Sequence, residues 1–263
     1  MLTVHEICKA YPRNGQTRET LTALDKVSLH IAEGESVALI GESGSGKSTL
    51  SRMILALEQP DSGSVLWNGK SITPKSARKM ELYRHIQPVF QNNLSCFDPR
   101  WRIYDSVTEP MRNFLELNRD AIYAKAKELM DMVDLPVSIL EKYPHELSGG
   151  QQKRVCIARA VSVNPKLLVL DEAVAELDAT VMLKILRLLR RLRLELGCAY
   201  LFITHDIRAA LYISDTIAVM RRGSILETVR NVSGPKDFRH PFSKMLLQQH
   251  DILEDKKDEN KIN

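Results

Sequence analysis

The 263-residue sequence has no apolar run long enough to cross a bilayer. Its apolar stretches are short pieces such as Leu167-Leu168-Val169-Leu170, against the roughly 18 residues a membrane-spanning helix needs. The opening residues carry His5, Glu6 and Lys9 and lack the apolar centre of a signal peptide. Such a chain is expected to stay in the cytosol unless a partner holds it at a membrane. Charge of one sign is also lacking: 37 Lys plus Arg against 33 Asp plus Glu leave a net +4. That excludes a strongly basic coat protein and makes no demand for nucleic acid. The four cysteines, Cys8, Cys96, Cys156 and Cys198, are far apart and form no CxxC pair. In a cytosolic chain they read as reduced core residues, neither disulfides nor metal ligands. The seven histidines are scattered, so no zinc constellation appears. There is no internal repeat.

What is present is an ordinary soluble composition, 44% hydrophobic and 27% charged, which argues against global disorder. The length allows one or two domains and a sizeable core. Strand-like and helical segments alternate. The patterns predict strands over Val27–Ile31, Ser36–Ile40, Ser64–Trp67, Ile86–Phe90, Leu167–Leu170 and Ala199–Thr204. Asn68-Gly69 and Arg222-Gly223 signal tight turns, the second between strands at Ile217–Met220 and Ser224–Val229. Helices are predicted over Lys47–Leu57, Gly149–Val163 and Thr180–Leu196, the last with Met182, Ile185, Leu189, Leu192 and Leu196 on one face and Gly197 as its stop. The stretch Asp105–Leu140 has helical spacing at Ile122, Ala126, Leu129, Met130 and Val133 and no convincing strand, so it reads as a helical insertion in an α/β core. A last helix is expected from Phe242 to about Leu253, and 254–263 reads as a solvated polar tail. The basic stripe Lys184, Arg187, Arg190, Arg191 and Arg193 reads as the wet face of an amphipathic helix, not as a nucleic-acid site.

Gly41-Glu42-Ser43-Gly44-Ser45-Gly46-Lys47-Ser48-Thr49 fits GxxxxGK[ST], with an apolar strand before it and a helix after it. Glycines let backbone N–H groups converge on phosphate oxygens, and the helix adds its positive N-terminal end. Lys47 would reach the β and γ phosphates, and the Ser48 hydroxyl would ligate Mg²⁺. Asp171 and Glu172 close the buried strand at 167–170. There a carboxylate can hold a Mg²⁺ shell, and a second can polarise an attacking water. Leu147-Ser148-Gly149-Gly150-Gln151 sits at a helix start with Ser148 as N-cap, and its small residues leave a helix N-terminus open to an anion. A second phosphate-grasping helix end in one chain makes sense if it closes on nucleotide held by another subunit.

With these residues in order, GESGSGKST at 41–49, LSGGQQKR at 147–154 and LVLDE at 168–172, joined by Gln91, Asp178 and His205, the chain resembles the ATP-binding cassette (ABC) ATPase family over about residues 2–249. The resemblance implies an α/β fold: a P-loop nucleotide-binding domain with a RecA-like core, an N-terminal antiparallel β subdomain and an inserted helical subdomain. Its expected bounds are an ATPase domain over 1–250, with core at 1–91 and 149–230 and helical subdomain at 92–148, followed by a helix and polar tail at 231–263. It implies roles residue by residue. Tyr11 stacks on adenine, Gln91 contacts Mg²⁺ or the lytic water, and Asp171 serves the metal. Glu172 is the base, Asp178 organises the dimer interface and His205 contacts the γ-phosphate. The family works as a head-to-tail dimer, each ATP held between the phosphate loop of one subunit and Ser148-Gly149-Gly150-Gln151 of the other. Two departures stand out: Ala173-Val174 where proline and threonine usually follow the acidic pair, and Glu176 where a small residue is common.

Within the family, Asn93 to Arg100 and His240-Pro241-Phe242-Ser243 look like the peptide and nickel importer group. Asp171-Glu172-Ala173-Val174 is similar to the second ATPase subunit of nickel importers. The sequence also lacks the cysteine-bearing C-terminal extension of many peptide importer ATPases, which favours nickel. The resemblance implies partners: two membrane-spanning permease subunits, a second homologous ATPase subunit or a second copy of this chain, and an external binding protein reached indirectly. No nucleic acid is implied. The place implied is the cytoplasmic face of the inner membrane. An oligopeptide, dipeptide or metal-chelate importer ATPase remains open, as does a soluble ABC ATPase in cofactor assembly. A small-molecule kinase gives the Ser148 helix no role.

Overall fold

The computed structural model describes residues 1–13, 16–79, 81–91 and 96–249. Three expectations lie outside them: the 93–95 part of the importer-like segment, the last helix beyond residue 249, and the polar tail at 254–263. The chain divides into two compact units, one of residues 1–73 with 202 onwards and one of residues 74–201.

In the first unit, β1 (Leu2–Arg13), β2 (Gln16–Ile31), β4 (Ser62–Trp67) and β5 (Lys70–Ser71) form an antiparallel sheet in the order β2-β1-β4-β5. Alternate residues Val27, Leu29 and Ile31 of β2 enter the core, as a half-wet strand requires, and Leu24 joins them across a register shift at Lys26, which takes φ 48°. The strand starts well before Val27, where the periodicity began. Its 20–22 stretch is exposed and is held by ladder partners on β1, so it shows no alternation of burial. Asn68 and Gly69 both take positive φ, 49° and 77°, the backbone of the two-residue hairpin between β4 and β5.

In the same unit β3 (Ser36–Ile40) is buried at every residue and runs parallel to β9 (Thr216–Arg221), with Val37 opposite Thr216 and Ile40 opposite Val219. Both faces are covered, which accounts for a continuous apolar run without alternation. β9 turns through Arg222-Gly223 into the antiparallel β10 (Ser224–Arg230). α1 (Lys47–Ile54) follows the glycine-rich loop. It stops three residues short of Leu57 because Ala56 takes φ 53° and the Leu57 N–H returns to the Arg52 carbonyl at 2.9 Å, a Schellman-type ending. α8 (Ile207–Ile213) and α9 (Pro241–Gln249) complete the unit.

The second unit holds α2 (Pro74–Lys79), α3 (Leu82–His85), β6 (Ile86–Val89) and β7 (Leu167–Asp171), the two strands parallel with Ile86 opposite Leu167. Between them lie α4 (Ile103–Phe114), α5 (Arg119–Met132), 3₁₀ turns at Val137–Glu141 and Pro144–Glu146, and α6 (Gly149–Val161). The strand-free reading of Asp105–Leu140 is met, and Ile122, Ala126, Leu129, Met130 and Val133 are buried as their spacing predicts. α7 (Ala179–Leu196) buries Ile185, Leu189 and Leu192, while Met182 and Leu196 are only half-buried. Its cations face water, and Arg191 Nη2 donates to Met132 O at 2.7 Å and Asp134 Oδ1 at 2.9 Å. β8 (Ala199–Thr204) carries the chain from the second unit into the first.

Candidate nucleotide site

The first unit supplies the phosphate loop. A Cβ built on Gly41 would lie 2.1 Å from the Met220 carbonyl oxygen, and one on Gly46, at φ 108°, 2.4 Å from that of Ala23. The backbone is thus pressed against β9 and β2, and only glycine fits. Gly46 is also the N-cap of α1 and gives that helix no side-chain cap, so the first amides of the helix face the loop without a hydroxyl or carboxylate of their own. Lys47 is 6% exposed. Its Nζ curls back to donate to the carbonyl oxygens of Gly41 at 2.8 Å and Glu42 at 2.9 Å. The Ser48 side chain, one residue on, is exposed. Glu42, Ser43 and Gly44 line the outer rim, while Ser45 and Thr49 are buried. The Ser45 Oγ is buried without a hydrogen-bond partner among the described residues, and a loop with an unused donor, uncapped amides and an ammonium folded over it fits a polyphosphate.

Tyr11 and His205 belong to the same unit. The Tyr11 hydroxyl donates to Glu58 Oε2 at 2.8 Å and accepts from Arg52 Nη2 at 3.2 Å, and the Lys9 ammonium stands 5.5 Å from the ring centroid. Its phenol is therefore anchored to the end of α1, just beyond the phosphate loop. His205 is exposed at the C-terminal end of β8. It is fixed there by its neighbour Asp206, which N-caps α8 by accepting from Arg208 N at 2.8 Å and Ala209 N at 3.1 Å.

The second unit brings together the acidic strand end and the glutamine. Asp171 ends β7 half-buried, and Glu172 follows at φ 48°, a sparsely populated conformation for a side-chain-bearing residue. Ala173 and Val174 are 0% and 3% exposed. The departure at these two positions therefore falls on buried side chains. Glu176, also at positive φ, points a carboxylate oxygen to which Gln91 Nε2 donates at 2.9 Å. Lys153 of α6 is 1% exposed and donates from Nζ to Phe90 O at 2.9 Å and Gln91 O at 3.2 Å. Burial lowers its pKa, against the opposing pull of Cys156, Cys96 and Glu176.

The Ser148 helix is also in this unit. Ser148 Oγ accepts from Gln151 N, and Gln151 Oε1 accepts in return from Ser148 N at 3.0 Å, a reciprocal capping box. A Cβ on Gly150 would meet Val181 Cγ1 of α7 at 3.0 Å, so packing within the chain explains that glycine; a Cβ on Gly149 would meet open space. Asp178 has a local task, capping α7 by accepting from Val181 N at 2.9 Å.

Two participants were given no role from sequence. Lys153 lies on the buried stripe of α6 together with Cys156, Ile157 and Ala160, and a lysine at an apolar position was the available signal. Glu176 stood out only as a departure from the family pattern, and its partner Gln91 is 85 residues away. The reading of all four cysteines as separate core residues needs correction. None is in a disulfide, Cys8 and Cys96 are only half-buried, and the Cys96 and Cys156 side chains hydrogen-bond each other. The pairing is long-range and no spacing rule reveals it.

The profile of the ABC transporter family matches residues 24–175. The oligopeptide transport ATP-binding protein OppF of Lactococcus lactis subsp. lactis is 40% identical over 252 residues, covering 94% of this chain and 79% of that protein. The nickel import ATP-binding protein NikE of Escherichia coli O157:H7 is 42% identical over 231 residues, covering 87% of this chain and 86% of that one. Among solved structures, the dimeric ATP-binding cassette MJ0796 in a post-hydrolysis state bound to ADP and Pi matches with a TM-score of 0.78 at 30% identity, covering 89% of this chain and all of that one.

Proposed function

The chain belongs to the ABC transporter family, in the group of peptide and nickel importer ATPases, and from that premise we propose that it drives uptake of nickel ion by hydrolysing MgATP at a head-to-tail dimer interface. It is an ATPase subunit with the ABC cassette fold. It acts on ATP with Mg²⁺, and its partners are membrane permease subunits and a second ATPase chain. Among the described residues no helix is long and apolar enough to cross a membrane, which accords with a peripheral subunit held by those permeases at the cytoplasmic face. The observation that carries the ATPase reading is the phosphate loop itself, where a Cβ on Gly41 or Gly46 would come within 2.1 and 2.4 Å of carbonyl oxygens and a helix start without a side-chain cap follows.

The assigned roles follow the chemistry of each group. The amides of Gly41 to Thr49 and the Lys47 ammonium hold the β and γ phosphates, Lys47 exchanging its carbonyl partners for phosphate oxygens. Mg²⁺, when bound, offsets the charge that builds on those phosphates. Ser48, Asp171 and Gln91 would hold it, each offering an oxygen suited to a hard cation. Glu172 takes a proton from the attacking water, and His205 donates a hydrogen bond toward the γ-phosphate. Tyr11 offers its ring to adenine. Ser148, Gly149, Gly150 and Gln151 close over the nucleotide of the partner subunit, and Asp178 borders the same interface. Gly149 supports this, because its lack of a side chain is not demanded by contacts inside the chain, and glycine in a helix costs roughly 0.5–1 kcal/mol relative to alanine. The subdomain bounds, core at 1–91 and 149–230 and helical insert at 92–148, belong to the same proposal.

Nickel as the cargo rests on the likeness of the 171–174 segment to nickel importer ATPases; the identities of 42% to NikE and 40% to OppF fit either cargo. Cells lacking this gene should lose uptake of radiolabelled nickel and keep peptide uptake; the reverse pattern assigns the chain to peptides. In the purified complex, Glu172→Gln should slow turnover by about 10²–10⁴ while MgATP binding is retained. Full activity in that variant removes Glu172 as the base.

A further inference from the structure

We propose that Cys96 and Cys156 form a reversible dithiol–disulfide pair, oxidised by exchange with a low-molecular-weight disulfide such as oxidised glutathione. The two residues come from different elements of the second unit. Cys156 lies in the middle of α6 and is 5% exposed, while Cys96 is half-buried and follows the Gln91 segment. Their side chains hydrogen-bond each other, and the Cys96 sulfur also meets the Phe90 backbone. Cations stand beside them. Lys153 is buried on the same helix with its Nζ on Phe90 O, 2.9 Å away, and Arg159 holds Glu109 at 2.7 Å. The Arg159 Nε is buried with no acceptor among the described residues, so this guanidinium has donor capacity left over.

That neighbourhood separates the two thiols. The hydrogen bond from Cys156 first, then Arg159, Phe90 and Lys153, hold the Cys96 thiol down to about 6, against the opposing effect of burial. Its hydrogen bond to Cys96 and burial push Cys156 up. Cys198 shows what an ordinary core cysteine does: buried, with Sγ against the Ala199 carbonyl at 3.4 Å, it is pushed up to about 12. A reachable thiolate beside a buried thiol is the arrangement of an attacking and a resolving cysteine.

The chemistry balances without any group outside the pair and the small disulfide. The Cys96 thiolate attacks one sulfur of glutathione disulfide; the S–S bond breaks and one glutathione thiolate leaves. Cys156 then attacks the Cys96 sulfur, the mixed disulfide breaks, and the second departing glutathione takes the Cys156 proton. Two protein thiols are oxidised, and one disulfide is reduced to two glutathione thiols. The product ties α6, which carries the Ser148 cap and Lys153, to the segment after Gln91.

The test treats the folded full-length chain with oxidised glutathione at neutral pH, then alkylates, digests and maps it by mass. A Cys96–Cys156 linked peptide is expected, reversed by dithiothreitol, with Cys8 and Cys198 alkylated. In Cys156→Ser, glutathione should remain on Cys96, and in Cys96→Ser, Cys156 should stay unmodified. Before oxidation, Cys96 should react with iodoacetamide about tenfold faster than Cys8. A stable glutathione adduct on Cys96 in the natural chain, or Cys156 reacting as fast without Cys96 as with it, overturns the pair.

Discussion

Glu176 and Gln91 meet through one exposed hydrogen bond of 2.9 Å, and this single contact decides how the glutamine side chain is aimed. An exposed bond to a carboxylate is worth about 1 kcal/mol, so Glu176→Ala should leave Gln91 correctly oriented roughly fivefold less often. The expected outcome in the reconstituted complex is a turnover about fivefold lower with little change in KM. Glu176→Gln, which keeps an acceptor oxygen, should recover most of it; steady-state ATPase assays check both. An effect on KM alone would mean that Glu176 acts on nucleotide binding and not on Gln91. Tyr200 gives a second test at this scale. It is fully buried, and its hydroxyl donates to the Leu189 carbonyl at 2.9 Å, while burial raises its pKa out of the usual range. Tyr200→Phe should cost about 1 kcal/mol, read from urea unfolding.

For the helix that opens at Ser148, stability and proposed function can be pulled apart. Ser148→Ala removes the cap oxygen that Gln151 N uses and should cost about 0.5–2 kcal/mol of folding free energy. Gly149→Ala should act the other way on the chain alone, because the new methyl meets open space and alanine favours the helix by roughly 0.5 kcal/mol. If the helix end closes on a partner's nucleotide, that same stabilised variant should fail to form the MgATP dimer. Light scattering in a Glu172→Gln background reads this directly. A Gly149→Ala chain that dimerises normally removes the contact at this position. At Gly150 the Val181 side chain is 3.0 Å from a new Cβ, so Gly150→Ala should instead strain the α6–α7 packing and lower the melting temperature.

Over the whole molecule, several carboxylates are held below their ordinary values. Asp61 is lowered by the Ala10 amide and Lys9, Asp98 to about 2 by Arg100, and Asp237 by the Ser233 and Gly234 amides and the Ser233 hydroxyl. Glu227 is lowered by the Arg239 and His240 amides in spite of burial. Each folded-state value lies below the unfolded one, so the folded chain binds fewer protons in that range. The stabilisation is fully present above the ordinary values of 3.8 and 4.5 and is lost as pH falls through the folded ones. Urea midpoints should therefore hold steady near neutrality and drop below about pH 4.5. Asp61→Asn should narrow the drop, since its difference from the natural chain disappears in acid. A flat profile down to pH 3 would show that these contacts do not persist in solution.

Whatever local backbone rules dictate could be read directly from residue order. The glycine spacing before Lys47, the Ser148 cap, the Gly197 stop at φ 61° and the Arg222-Gly223 turn each follow from conformations that few residues adopt. The helical stripe of α5 and the buried run of β3 were legible for a related reason, because period and burial are written residue by residue. What distant residues do to each other emerged only from their packing in the folded chain. The ladder that extends β2 back to Gln16, the glutamate that holds Gln91 from 85 residues away, the lysine buried under Phe90, and the meeting of Cys96 with Cys156 are examples. A lysine at an apolar position and a departure at 176 are the only local traces, and neither names its partner, since each contact depends on closing a long loop whose ends no propensity or period connects.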